Sequence, residues 1–284
     1  MTHRTELLII DAQNDFCDLP EAYRPLDPLT GARQAPALPV PGAHADMLRL
    51  AALLRAAGRR LDAVTVTLDA HHRFDIAHPS FWRQADGSAV APFTAISAEA
   101  LRSGLFQPRD AAHAPRAQAY LDALQASGRY TLVVWPVHCQ IGTWGQGLHA
   151  DLLAACDDWQ EARGRPLQAV FKGSNPWTEH YSALQAEVPD AADPDTLLNR
   201  TLLARLDGAD TLLIAGQASS HCVKATVEHL LAHLPSGRPD RLLLLTDCMS
   251  PVAGFEAQAQ DFLAAAQAQG VRAMRQADAL AWLG

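Results

Sequence analysis

Reactive side chains in this chain recur just after short apolar runs. Asp11 follows Leu7–Ile10, Asp69 and His71 follow Ala63–Leu68, and His138 and Cys139 follow Thr131–Trp135. Lys172 follows Ala169–Phe171, His221 and Cys222 come a few residues after Thr211–Ala215, and Asp247 follows Leu242–Thr246. If the runs are strands of an open α/β sheet, these residues share the rim where such sheets bind ligands. Cys222 lies in GQASSHCVKAT, at the expected start of a helix. The free amides and dipole there lower a thiol's pKa and could hold an oxyanion, so Cys222 is a candidate nucleophile. Asp11 is the candidate base. Lys172 is the candidate cation that holds thiolate and carboxylate together, giving a Cys–Asp–Lys triad rather than Cys–His–Asn. Taken singly, each has a plainer reading: a packed thiol, a capping carboxylate, a solvated lysine. Their common placement at strand ends favours the chemistry.

A second constellation lies in DAHHRFDIAHPSF. Asp69 and His71 flank one residue of an extended segment, so their side chains point to the same side. His78 follows a short loop, and His138 comes from the next strand end. One carboxylate with three imidazoles suits Zn²⁺, Fe²⁺ or Mn²⁺. His72 shows that not every histidine here is needed as a ligand. Cys17, Cys139, Cys156 and Cys248 read as packing residues, and Asp247 as a strand-end cap. His221 either touches a ligand or buttresses the nucleophile loop.

The elements that must position these residues follow from the apolar pattern. Continuous Leu/Ile/Val runs fit strands buried on both faces of a parallel sheet, with a last weak one at Val271–Met274. Helical patterns at Ala43–Ala57, Thr196–Leu206, Cys222–Leu234 and Phe255–Gln269 each stop at a Gly or Pro signal. The alternation predicts an α/β fold, a doubly wound, mostly parallel sheet with helices on both faces. Arg83–Arg129 breaks the alternation and reads as an insertion or lid with one helix, Pro115–Ser127. Pro20–Pro41 is a long loop with six prolines. At 284 residues and 49% hydrophobic, the whole chain, 1–284, is expected to form one domain. A net charge of −8 argues against nucleic acid as a partner. There is no apolar run of about 18 residues, so no membrane span is expected, and no secretory or transit signal is expected either. Five cysteines without a CxxC pair point to free thiols in a reducing, cytoplasmic setting.

Taken together, the segments LLIIDAQNDFC, TLDAHHRFDIAHPSFW, WPVHCQIGTWGQGLHADL, VFKGSNPWTEHYSAL, LLIAGQASSHCVKAT and LLLLTDCMSPV resemble the nicotinamidases of the isochorismatase-like cysteine hydrolases, in the family's order and across most of the chain. The resemblance implies that Cys222 is the nucleophile, Asp11 the proton acceptor and Lys172 the triad cation. It implies one divalent ion, Zn first, held by Asp69, His71, His78 and His138. It implies a cis peptide at Gln217-Ala218, with the N–H groups of Ala218 and Cys222 as oxyanion hole. It places Phe16, Trp135 and Tyr181 around a pyridine ring, with His221 beside the substrate. The implied activity is hydrolysis of nicotinamide through a Cys thioester, with the ion on the pyridine nitrogen. The same triad would serve another small amide, N-carbamoyl or maleamate-like, although such relatives commonly lack the ion ligands. A non-catalytic ion-binding module is disfavoured, because it has no chemical need for the triad. The implied partner is a small-molecule amide, and a homo-oligomer is compatible with the family. This chain departs from the pattern in four places: a longer gap between HPSF and WPVHC, a longer proline-rich loop after Asp11, Ser220 where many relatives carry Asp, and His78 one residue further from His71. These bear on substrate size and pocket closure.

Overall fold

The computed structural model describes residues 3–284. Among the described residues, ten strands and eight α-helices follow one another. The strands are β1 (Thr5–Ile10), β2 (Ala63–Asp69), β3 (Trp82–Gln84), β4 (Thr94–Ile96), β5 (Phe106–Pro108), β6 (Leu132–Val134), β7 (Gln168–Lys172), β8 (Thr211–Gly216), β9 (Leu242–Leu245) and β10 (Arg272–Met274). The helices are α1 (Ala43–Ala57), α2 (Ala98–Arg102), α3 (Ala114–Ser127), α4 (Ala150–Arg163), α5 (Arg200–Asp207), α6 (Cys222–His233), α7 (Glu256–Ala268) and α8 (Gln276–Leu283). Among the described residues, no helix is long and apolar enough to cross a membrane.

Six strands form one parallel sheet in the order β10-β9-β8-β1-β2-β7. The chain winds from β1 towards β7, crosses back to β8 and then winds the other way. Right-handed crossovers therefore put α1 and α4 on one face and α6 and α7 on the other. α8 returns to pack on α1, and α4 also packs on α1. The strand order reverses between β1 and β8, so the crevice for a ligand opens beyond their carboxyl ends. β1 and β8 are buried at every residue, which is why their sequences, TELLII and TLLIAG, show no polar alternation.

The run Thr131–Trp135 was expected in this sheet and lies outside it. Its core, β6, pairs antiparallel with β4 of the insertion. A short apolar run buried under an insertion looks the same in sequence as one buried in a sheet. The place beside β2 is taken by β7 instead. The insertion contributes a second small pair, β3 with β5, and the expected helix, α3. The Thr196–Leu206 helix is also shorter than expected. Pro194–Thr196 forms a separate turn, and the Asn199 side chain caps α5 by accepting the Leu202 amide at 2.9 Å. Helix α4 was not anticipated, although it too stops at a glycine, Gly164.

At the end of β8 the backbone of Gly216 passes directly against β1. Its φ is 121°, and a Cβ there would sit 1.9 Å from the Ile10 carbonyl oxygen. Gly216→Ala is therefore expected to cost about 3 kcal/mol or more, by forcing apart the two central strands. Urea unfolding monitored by circular dichroism would show the loss; a midpoint equal to that of the parent chain would contradict it.

Candidate active site

Asp11 is the first residue past β1, in the left-handed region at φ 46°. That turn aims its carboxylate back across β2. Thr67 Oγ donates to Asp11 Oδ1 at 2.6 Å. Lys172, the last residue of β7, lies buried on the other side, with Nζ 2.8 Å from Asp11 Oδ2 and 2.5 Å from Asp69 Oδ1. The same ammonium donates to the His180 carbonyl at 3.0 Å and reaches Cys222 Sγ at 3.6 Å. Cys222 opens α6, and its sulfur and the Asp11 and Asp69 carboxylates come within 4.8 Å of one another. Residues 11, 172 and 222 thus meet at one buried point.

Their electrostatics differ in a useful way. Burial opposes charge on both carboxylates. At Asp69 this is outweighed by Lys172 and by the rings of His71 and His138, which hold the carboxyl well below its usual range. At Asp11 burial wins: Lys172 pulls the pKa down, Asp69 pushes it back up, and the net shift is upward. Asp11 is therefore the more basic of the two acids, as befits a proton acceptor. Burial opposes the charge of Lys172, but Asp11 and Asp69 raise its pKa well above the ordinary lysine value. The expected low thiol pKa of Cys222 does not hold. Burial raises it well above the ordinary value, Lys172 opposes, and Asp11 adds to the rise. Helix-terminal amides do not offset the loss of water and a neighbouring carboxylate.

The peptide Gln217-Ala218 is cis. Among the described residues, neither the Ala218 nor the Cys222 backbone N–H donates a hydrogen bond, while the His221 and Val223 amides both bond the Ala218 carbonyl. Two donors are thus left open beside the sulfur.

Asp69, His71 and His138 gather ligand atoms within 4.8 Å of one another. The Asp69 Oδ2 atom is 3.7 Å from His71 Nε2 and 4.0 Å from His138 Nε2. His71 Nδ1 lies 3.1 Å from Asp75 Oδ2, and its buried Nε2 has no hydrogen-bond partner. His138 Nδ1 lies 2.8 Å from the Pro136 carbonyl oxygen. Each ring is thus turned by a partner on one nitrogen and presents the other beside a carboxylate, which is how protein imidazoles are set for a divalent ion. The residues fit such an ion. His78 does not join this group. Its Nε2 meets His138 Nδ1 at 3.4 Å, and its ring centroid lies 5.2 Å from that of His71 and 5.3 Å from that of His138, so it sits beside both rings. Of the four expected side chains, Asp69, His71 and His138 converge to within 4.8 Å, and the His78 ring lies alongside them. His138 follows the Thr131–Trp135 run as expected, on the loop after β6, but that run lies outside the main sheet, and the loop is bridged to β2's exit through His71 and Gln140.

Phe16, Trp135, Tyr181 and His221 all line one narrow cavity with Cys222 and Ala218. Trp135 Nε1 donates to the Tyr181 hydroxyl at 3.1 Å. His221 both lines the cavity and is packed: its ring meets the edges of Trp135 and Phe255 at 5.1 and 4.7 Å, and Ser220 Oγ lies 2.9 Å from its Nδ1. Burial, with Lys224 adding, lowers its pKa to about 3, so the ring is neutral. The free space is about 20 Å³, about one water, while a cavity of about 740 Å³ adjoins it across Tyr181 and His221. A ring enters only if that wall or another lining residue, such as Leu38, gives way.

Several residues of the site carried no sequence signal. Gln13 brackets the Asp69 backbone, donating to its carbonyl at 2.8 Å and accepting its amide at 2.8 Å. Glu179 lines the cavity with a buried carboxyl pushed up to about 8 by burial, His71 opposing. Asp75 and Thr67 serve as described above. The five residues of DAQND, Asp11 to Asp15, are all buried, so no alternation of polar and apolar positions marks which of them face the site.

No family model and no curated protein sequence matches the chain. Solved structures share its fold. An Acinetobacter baumanii nicotinamidase/pyrazinamidase is 19% identical, with a TM-score of 0.63 over 98% of this chain and 99% of that one. A yeast nicotinamidase bound to the inhibitor nicotinaldehyde is 19% identical, with a TM-score of 0.60 over 95% and 99%. A pyrazinamidase of Pyrococcus horikoshii in complex with zinc is 16% identical, with a TM-score of 0.53 over 96% and 99%.

The raised thiol pKa has a direct readout. Iodoacetamide should label Cys222 slowly at pH 7, the rate climbing only above about pH 8.5, the free-thiol value. Asp11→Asn, which removes a group that raises the thiol, should speed labelling at pH 8. Fast labelling of the parent chain at pH 6 would contradict the assignment.

Proposed function

We propose that the chain is a divalent-ion-dependent amidohydrolase that converts nicotinamide to nicotinate and ammonia through a thioester on Cys222. The observation that carries this reading is the convergence of Asp11, Lys172 and Cys222 beside three ion-binding side chains in one buried crevice. The shared fold of the nicotinamidases supports it.

The raised thiol pKa shapes the mechanism. In the free protein the sulfur keeps its proton and Asp11 carries the charge opposite Lys172. When an amide carbon reaches Cys222, Asp11 takes the proton as sulfur attacks. Lys172 stays between the two and steadies whichever carries the negative charge. The developing oxyanion meets the N–H groups of Ala218 and Cys222, an interaction that commonly contributes about 10²–10³ in rate. Collapse expels the amine, which takes its proton from Asp11 and leaves as ammonia. Asp11, ionised again, deprotonates a water that attacks the thioester, and sulfur leaves with the proton returned. Asp69, His71 and His138 would hold the ion, which when bound supplies a Lewis acid that fixes a ring-nitrogen donor beside Cys222. Zinc is the first choice for this N/O donor set, with iron or manganese compatible. Phe16, Trp135 and Tyr181 offer aromatic faces to a flat ring.

Another small amide on the same triad, N-carbamoyl or maleamate-like, remains the alternative. The ion-binding side chains favour a substrate with its own donor atom.

Ammonia release from nicotinamide by the full-length protein, with zinc content measured in the same sample, tests the reading. Cys222→Ala should abolish release, and a chelator should remove it with zinc restoring it. Release by Cys222→Ala would refute the thioester route. The acid limb of kcat/KM should lie above the ordinary carboxylate value of about 3.9, because Asp11 must be ionised and burial raises its pKa. Activity is lost as pH falls through that raised value. Thr67→Val removes a hydrogen bond that favours the charged form, so the limb should move further up. A downward move would contradict the role of Asp11.

A further inference from the structure

Asp15 is buried in the turn Asn14–Phe16, just past the end of β1, and none of the chemistry above uses it. Among the described residues it has no salt-bridge partner. Its carboxylate is instead held by two backbone amides from distant parts of the chain: Oδ1 accepts from Ala37 at 2.9 Å and Oδ2 from Cys139 at 2.7 Å. Its own carbonyl accepts the Leu38 amide at 3.0 Å. Leu38 is the cavity wall contributed by the long proline-rich loop, and Cys139 directly follows His138. Two further facts mark the arrangement as built. Cys139 holds φ 45°, a conformation that costs a non-glycine residue and persists only where its surroundings enforce it. Gly145 leaves room for the carboxylate: a Cβ there would fall 2.1 Å from Asp15 Oδ2 and 2.4 Å from Oδ1.

We propose that Asp15 is a positioning residue that ties the cavity wall at Leu38 to the ion-binding loop at His138, so that ion affinity and ring binding are set together. The proposal rests on the ion-dependent reading above. Its chemistry is specific to a carboxylate. Asparagine offers one acceptor oxygen and turns an NH₂ towards the other amide, so one of the two loops must let go.

The test compares the full-length parent with Asp15→Asn and Gly145→Ala. The alanine keeps the charge but pushes the carboxylate off its amides. Zinc affinity is measured by competition with a chromogenic chelator, and kcat and KM on nicotinamide. Both variants should bind zinc at least tenfold more weakly, the size of loss seen when a partner of a metal ligand is removed, and should raise KM more than they lower kcat. Folded variants that bind zinc like the parent would overturn the proposal, as would a loss confined to thermal stability. Hydrogen exchange on the parent chain decides the matter even if both variants fail to fold. Zinc should slow exchange at Ala37 and Leu38 as well as at His138 and Cys139, and protection confined to the latter pair would overturn the link. A parent chain that binds no zinc would instead refute the ion-dependent reading itself, and this proposal with it.

Discussion

A single buried ammonium organises the crevice. Lys172 is 3% exposed and faces two carboxylates, a carbonyl oxygen and a thiol. A buried cation without partners is strongly unfavourable, and a pair of buried carboxylates is equally so. In the proposed reaction Asp11 and Asp69 belong to different halves of the chemistry, one to proton transfer and one to ion binding. They share one counter-charge, so neither half is electrostatically independent. The asymmetry between them arises from what else each touches. Asp69 also faces two imidazoles, whereas among the described residues Asp11 meets Lys172 as its cation and Thr67 as a hydroxyl donor. One ammonium therefore leaves one carboxylate firmly charged and the other ready to accept a proton.

The backbone beyond β1 carries a comparable weight. Asp11, Gln13 and Asp15, all buried just past β1, respectively meet Lys172 and Thr67, bracket the Asp69 backbone and hold the loop after His138. The site is thus positioned less by its own side chains than by the strand exit at the sheet's reversal point. That is also where open α/β sheets leave a crevice unfilled.

How far the sequence could be read depends on whether a signal is local. The strands of the parallel sheet are buried on both faces and announce themselves as apolar runs, and Lys172, Asp69 and Cys222 fall at or just past their expected ends. Where burial comes from elsewhere, the same signal misleads. Thr131–Trp135 is as apolar as a central strand, yet it is covered by the insertion and pairs with β4. Helix α4 had a readable stripe at Leu152, Ala155, Cys156 and Trp159, but two of the four are small residues that contrast weakly with an acidic face. Spacing alone does not rank His78 against His71 and His138, because its distance from them is set by contacts of its loop, such as that of its Nδ1 with the His72 carbonyl at 3.2 Å. The thiol pKa was misjudged for a related reason: a helix start is visible in sequence, whereas depth of burial and an adjacent carboxylate are not.

The pairing of β1 with both β2 and β8 bears on how the chain acquires this structure. Thr5 lies opposite Thr211, and Ile9 opposite Ala215, so the second neighbour of the first strand is made only after most of the chain. Long-range parallel pairing of this kind is slow to form and leaves apolar surface uncovered in the meantime. A polypeptide emerging N-terminus first therefore carries Leu7–Ile10 as an open sheet edge through much of its synthesis. Over the first part of that interval, until β7 is made, Asp11 and Asp69 also stand without Lys172. Neutralisation of the crevice by β7 and completion of the hydrophobic centre by β8 are thus successive late events of one assembly.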